Sequence, residues 1–159
     1  YPLKQVIEVK QRRVDDAEKI VKEKVLALNQ EQKKLAEREA ERDKVKDHKK
    51  DKLQQLRDTL DKGCNTTEIQ QMKAYLKLVD EKLKVEEKKV QDQKELVKVA
   101  EKNLEAAKLD LQRKRQEVDK LLMHKKDWEK EKRKELEIIE GREQDELGSI
   151  IHTAHQRKQ

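Results

Sequence analysis

The sequence is poor in the residues that build a globular core and its turns. Its 159 residues include three Gly, one Pro, one Trp, two Tyr and no Phe, so aromatic residues make up only 2%. A globular domain of this length normally carries more aromatic bulk and many more turn residues. Disorder would not place apolar residues at a fixed period, as they are here. The composition therefore favours a thin seam between long helices.

Side chains that carry chemistry are also scarce. Three isolated glycines cannot form a phosphate-binding loop, and the only serine is Ser149. His152 and His155 could share a helix face with Asp145 or Glu146, but histidines near a helix C-terminus also favour its dipole without any metal. We therefore expect no enzyme, no cofactor and no metal site.

Long hydrophobic runs and paired cysteines are absent too. The longest apolar run is VLAL at 25–28, far short of the ~20 residues of a membrane span. The single cysteine, Cys64, excludes an intramolecular disulfide and should lie exposed on a turn. No secretory signal is visible. These features predict a soluble cytoplasmic protein with no membrane insertion.

Charge is plentiful but mixed in sign. Charged residues make up 48% of the chain, with 41 basic and 35 acidic residues and a formal net charge of +6. The signs alternate, as in EKEKRKELE, which is typical of a solvated helix face. A nucleic-acid or anionic-lipid surface would need a one-sided basic stripe. We therefore expect no nucleic-acid partner, and steeply salt-dependent binding would contradict this expectation.

The second half of the chain carries an unbroken heptad repeat. One row of apolar residues recurs every seven positions and the accompanying row is mixed, which predicts a left-handed coiled coil. The first row is Ile69, Leu76, Leu83, Val90, Val97, Leu104, Leu111 and Val118. The second row is Met72, Val79, Glu86, Gln93, Ala100, Ala107, Lys114, Leu121 and Trp128.

The first half carries a similar but less regular pattern. Its first row is Ile7, Val14, Val21, Leu28, Leu35, Arg42, Lys49 and Leu56. Its second row drifts, because the apolar candidates are Leu3, Ala17, Val25, Leu53 and Leu60. The pattern predicts a seam that wanders slightly around this helix.

Residues 62–69, KGCNTTEI, separate the two patterns. Gly63 suits the left-handed position after a helix, and Asn65, Thr66 and Thr67 suit an N-cap. Both Thr67 with Gln70 and Asn65 with Glu68 have the spacing of a capping box. A turn this short returns the chain antiparallel.

These features predict an all-α fold, a long two-helix antiparallel coiled-coil hairpin with unequal arms. The predicted domain is one hairpin over 1–159, with helices at 3–62 and 67–155 and a turn at 63–66. Facing residue numbers should sum to roughly 129, which puts Tyr1 near Trp128. The same register puts Arg42 beside Glu86 and Lys114 beside Asp15.

The predicted overhang, residues 129–159, has no partner within the chain but keeps apolar residues. We interpret it as a partner-binding end, while a frayed tail or a self-association seam is the alternative. Trp128, at its edge, suits both a seam position and a binding anchor. His48 and His124 should lie on solvated faces, and Tyr75 at the edge of the seam.

Four segments resemble a known family in their order around the turn. They are YPLKQVIEVKQRRVDDAEKIVKEK, ERDKVKDH, MKAYLKLV and EQDELGSIIHTAHQRKQ. The chain resembles the YscO group of type III secretion stalk proteins, its chlamydial members in particular, with flagellar FliJ as a distant relative. The resemblance covers essentially the whole chain.

The resemblance implies a non-enzymatic, monomeric stalk on the cytosolic face of the secretion apparatus. Its implied partners are the type III secretion ATPase hexamer, the cytoplasmic domain of the export gate and secretion chaperones. By analogy, the residues that would contact the ATPase are Leu3, Ile7, Trp128, Leu136, Ile139, Leu147 and Ile151. A generic coiled-coil scaffold or homodimeric adaptor remains the alternative.

Overall fold

The computed structural model describes residues 1–63 and 65–157, and Cys64 therefore lies outside the described residues. Helix α1 spans Lys4–Lys62 and helix α2 spans Thr66–Arg157. No strand occurs in the described ranges. The fold is the predicted all-α antiparallel helical hairpin, with α2 much longer than α1. Its helix bounds differ by one or two residues from the expected 3–62 and 67–155.

The connection between the helices follows from two residues. Gly63 has a φ of 78°, in the left-handed region that glycine adopts without a steric penalty. The Oδ1 of Asn65 accepts a hydrogen bond of 2.8 Å from the backbone N–H of Glu68. This bond makes Asn65 the N-cap of α2 and identifies the Asn65–Glu68 pair, rather than Thr67 with Gln70, as the capping spacing in use.

Burial along α2 follows the heptad repeat. From Ile69 to Trp128 every predicted seam position is at least half-buried, in steps that alternate between three and four residues. This pattern confirms the two predicted rows. Nine seam residues of α2 are buried, and eight of them are apolar. They are Val79, Leu83, Val90, Gln93, Val97, Ala100, Leu104, Leu111 and Val118.

The α1 side of the seam is built differently. Only Val14 and Ala17 are buried on this helix. The predicted second row is wrong at Val25 and Leu60, which are exposed at 37% and 48%, whereas Leu3 and Leu53 are half-buried and Ala17 is buried as predicted. Half-buried residues of the second row instead keep close to the seven-residue spacing and are largely polar. They are Lys10, Lys24, Glu31, Val45, Lys52 and Thr59. The aliphatic stems of lysine and glutamate can cover apolar knobs while their charged ends stay in water.

The chain groups into two units, Tyr1–Glu18 with Asp110–Gln159, and Lys19–Leu109. In the first unit, Lys10 Nζ lies 3.0 Å from Glu117 Oε2, and Arg115 donates to Glu18 at 3.0 Å. Each pair joins α1 to α2. Both are partly exposed, so each contributes at most about 1 kcal/mol.

In the second unit, two of the polar contacts that join the helices involve the predicted seam residues Gln93 and Lys49. Gln93, only 6% exposed, donates to the backbone oxygen of Glu31 at 3.0 Å and to its carboxylate at 2.5 Å. Lys49 donates to Asp80 at 2.5 Å, and this hydrogen bond and positive charge lower the pKa of Asp80 below its usual 3.8. A satisfied polar side chain in an apolar seam specifies one register, since a slip would leave it unpaired.

The register predicted that Arg42 lies beside Glu86 and Lys114 beside Asp15, but neither pair forms a salt bridge in the described part of the chain. In the described part of the chain all four side chains bond along their own helix instead. These bonds are Arg42–Asp43, Lys89–Glu86, Lys114–Asp110 and Gln11–Asp15. Neighbours on the same helix surface are always within reach, so solvated side chains meet them more readily than partners across a seam.

Candidate partner-binding end

The aromatic residues Tyr1 and Trp128 lie together where α1 begins. Their rings meet edge to face with centroids 5.5 Å apart, as predicted from the register. The Tyr1 hydroxyl also forms a hydrogen bond with Nδ1 of His124. On the other side, Lys132 Nζ lies 5.8 Å from the centroid of the Trp128 ring, in cation–π geometry. His124 is exposed as expected, but it contributes to this cluster.

Local sequence explains why the first residues of α1 can reach this position. Pro2 lies just before the helix, where its missing N–H is not needed. The backbone N–H of Lys4 donates to the oxygen of Tyr1 at 3.3 Å, and that of Ile7 donates to Leu3 at 3.0 Å. These two bonds extend the first turn back to Tyr1.

The seven candidate contact residues divide into two groups. Leu3, Ile7 and Trp128 are half-buried, which is the burial of seam positions. A side chain already packed in the seam has less surface to offer a partner. The other four, Leu136, Ile139, Leu147 and Ile151, are exposed at 58%, 50%, 58% and 61%.

The helix beyond Trp128 is unpaired in the described part of the chain. Every residue from 129 to 157 is exposed except Gly141, which is half-buried. No hydrogen bond or salt bridge in the described ranges joins this segment to α1; its own contacts are local, as in Lys132–Glu135 at 3.3 Å and His152–Gln156 at 3.0 Å. Large apolar side chains without cover mark a docking surface.

A second exposed surface lies near the turn, and sequence reasoning missed it. Tyr75 is 44% exposed, and its hydroxyl is 2.8 Å from Nε2 of His48 on α1. Shallow grooves of about 400 and 380 Å³ lie on either side of Tyr75. Leu78, 63% exposed, lines one of them. The sequence could have indicated this surface only by showing that His48 on α1 lies opposite Tyr75 on α2. That step requires knowing the register of the two helices.

Two kinds of feature are absent from the described ranges. No group of three or more His, Cys, Asp or Glu residues there is arranged to hold a metal ion. No described helix combines the length and apolarity needed to cross a membrane. The exposed end of α2 and the surface around Tyr75 are candidate binding surfaces for other proteins.

A family model described as YscO-like protein matches residues 1–158. The chain belongs to the YscO-like family. The predicted resemblance is thus confirmed over essentially the whole sequence. No curated protein matches this YscO-like chain significantly.

Two solved structures are similar to this YscO-like chain. The first is of CT670 from Chlamydia trachomatis, a proposed YscO homologue. It is 50% identical, with a TM-score of 0.94, and the match covers 100% of this chain and 98% of that chain. The second is of the Chlamydia pneumoniae CdsV and CdsO protein complex. Its matching chain is 52% identical, with a TM-score of 0.51, and the match covers 53% of this chain and 98% of that chain.

Family membership places the chain among the components of type III secretion. The YscO-like family is a family of structural secretion proteins and is not known for catalysis. The hairpin fold is likewise the fold of a solved relative across its whole length.

Proposed function

We propose that this chain is a stalk of a type III secretion export apparatus, which binds the secretion ATPase hexamer and links it to the export gate. The observation that carries the proposal is the full-length match to the YscO-like family, together with a hairpin whose longer helix continues unpaired. The stalk acts at the cytosolic face of the apparatus, as a monomer, and escorts or recycles secretion chaperones.

The free end of α2 is the proposed ATPase contact. Leu136, Ile139, Leu147 and Ile151 are all at least half exposed, so they can be buried in a complex without disturbing the hairpin. Trp128 adds an aromatic anchor at the border between the paired and unpaired parts, with Leu3 and Ile7 beside the same end of the seam. Buried aromatic and aliphatic anchors carry most of the free energy of a protein interface.

The link to the gate is supported by a relative. A chain 52% identical to this one belongs to a structure of the CdsV and CdsO protein complex, so a homologous chain forms a complex with another protein. The exposed surface around Tyr75, near the turn, is available for a second partner while the other end of α2 engages the ATPase. A stalk with two separate docking surfaces can bridge two parts of an apparatus.

The test is a titration of the ATPase from the same secretion system with this chain, following ATP hydrolysis and oligomer mass together. We expect saturable binding at about one stalk per hexamer and an altered hydrolysis rate. A chain truncated after Trp128 should stay helical but lose binding. Unchanged binding by the truncated chain would contradict the assignment of the contact, and no binding by the helical full-length chain would contradict the stalk function.

The exposed apolar residues of α2 also favour one alternative, a homodimeric scaffold in which the free ends of two copies pair. Light scattering distinguishes the two functions. A monomeric mass at micromolar concentration removes the scaffold, whereas a stable dimer that dissociates on truncation after Trp128 would support it.

A further inference from the structure

The first turn of α1 lacks the signals that stabilise a helix start. Leu3 stands at the N-cap position, where an apolar residue is a poor cap, and residues 4–7 contain no acidic side chain. Lys4 instead brings positive charge to the end where the helix dipole favours negative charge. Helix α2, by contrast, begins with the Asn65 cap and has Glu68 in its first turn. The start of α1 therefore depends on contacts with α2.

Tyr1 supplies two of these contacts. Its ring meets the Trp128 ring edge to face with centroids 5.5 Å apart, and its centroid lies 5.8 Å from that of His124. Its hydroxyl is hydrogen-bonded to Nδ1 of His124. A single aromatic side chain thus ties the start of α1 to two positions of α2.

Residues 1–9, the N-terminal strap, bury little apolar surface beyond these contacts. Leu3 and Ile7 are only half-buried, and Val6 and Val9 are exposed at 41% and 45%. Segments with few buried apolar contacts open at a free energy well below that of global unfolding. The strap is therefore the part of α1 that opens most easily at this end.

The packing of α1 changes abruptly behind the strap. Val14 and Ala17, the buried residues of α1, are 3% and 1% exposed. Between them and the strap, Lys10 Nζ lies 3.0 Å from Glu117 Oε2, but both side chains are partly exposed, so this salt bridge is a weak link. Opening should stop at Val14, because going further would bring two buried apolar side chains into water.

An open strap would uncover one continuous patch of α2. Leu121 and Trp128 are half-buried seam positions that the strap faces in the register of the hairpin. Leu122 and Met123, beside them, are already exposed at 46% and 67%. The patch gains its largest member only when Tyr1 leaves the Trp128 ring.

We propose that the N-terminal strap opens as a unit while the rest of α1 stays paired, and that its opening converts Trp128 from a seam residue into an exposed anchor. The closed strap is an autoinhibitory contact, in which Tyr1 occupies the edge of the Trp128 ring that a partner would otherwise use. The strap is independent of the proposed function, because both of its states lie within one chain and neither requires the ATPase.

Amide hydrogen exchange of the full-length chain measures the opening. Tyr1→Ala should accelerate exchange of the amides of residues 8–10 by about tenfold, because the strap loses a ring contact and a hydrogen bond. The amides of residues 18–40 should be unaffected. Tyr75→Ala is the matched control, since the Tyr75 hydroxyl also lies 2.8 Å from a histidine of the other helix, His48, but makes no contact with the strap.

Fluorescence measures the exposure of the anchor. Trp128 is the only tryptophan, so quenching by acrylamide reports on this site alone. Tyr1→Ala should raise the quenching constant, and Tyr1→Phe, which keeps the ring but loses the hydroxyl, should have an intermediate effect. Ile7→Ala should also raise it if the strap moves as a unit, whereas Val9→Ala, at an exposed position of the same strap, should not.

Three results would overturn the inference. Unchanged quenching in Tyr1→Ala would mean that Tyr1 does not cover Trp128. An effect of Tyr1→Ala without one of Ile7→Ala would mean that Tyr1 moves alone rather than with a strap. Equal acceleration of exchange over residues 8–10 and 18–40 would mean that α1 opens as a whole.

Discussion

Helix α2 contains two regions in which similar apolar residues differ in burial. Leu104 in the paired region is 8% exposed, whereas Leu147 in the free region is 58% exposed. Leu104 lies where α1 and α2 pair, whereas Leu147 lies beyond the part of α2 that α1 covers in the described part of the chain. The comparison shows that a facing residue on α1, rather than hydrophobicity alone, decides whether a leucine of α2 is buried.

The largest expected effect separates these two leucines directly. Leu104→Ala should lower the free energy of unfolding by about 2–5 kcal/mol, because it removes buried methyl groups and leaves a cavity in a thin seam. Leu147→Ala should change it by no more than about 0.5 kcal/mol. Urea unfolding followed by circular dichroism measures both. Equal losses for the two variants would mean that the free region is packed in the monomer.

The glycines extend the comparison to the backbone. Gly63→Ala should destabilise the hairpin by about 1–2 kcal/mol, because a side chain is strained in the left-handed conformation. Gly148 is helical, and nothing lies within 4 Å of a Cβ added there. Gly148→Ala should therefore stabilise the local helix by about 1 kcal/mol.

Thermal unfolding measures the stability of the Gly63→Ala variant. Amide hydrogen exchange of residues 140–157 measures the local helix stability of the Gly148→Ala variant. A destabilised Gly148→Ala variant would contradict the open surroundings of that position. Unchanged unfolding of Gly63→Ala would mean that the turn rearranges at no cost.

The smallest expected effect is a pH dependence confined to the paired region. Because Lys49 lowers the pKa of Asp80 below 3.8, the folded chain favours the ionised carboxylate more than the unfolded chain does. The resulting stabilisation is present above pH 3.8 and disappears as the pH falls through the lower folded pKa.

Urea unfolding between pH 6 and pH 2 of the wild type and of Asp80→Asn checks this sign. The advantage of the wild type should shrink in acid. Lys49→Met should remove the same dependence, since it removes the partner. An advantage that grows as the pH falls would refute the assigned direction.

Several features of the candidate site were predictable and others were not. The unpaired character of Leu136, Ile139, Leu147 and Ile151 followed from counting residues on either side of the turn. The half-burial of Leu3 and Ile7 followed from their heptad positions. The Tyr1–His124 bond was not predictable, because it depends on side-chain directions at the open end of the seam. The surface around Tyr75 was missed for the same reason.

The sequence by itself determined the architecture of this protein. A strict seven-residue period on α2, one glycine suited to a positive φ and one N-cap are local signals, and local signals specify helices, their ends and the face that each helix buries. The tertiary structure alone decided which polar side chains meet across the seam. Lys49 bonds to Asp80 and Gln93 bonds to Glu31 across the seam. Arg42 and Lys114 instead form salt bridges with neighbours on their own helices. Long, solvated side chains have many partners within reach at similar free energy, so residue spacing cannot select among them.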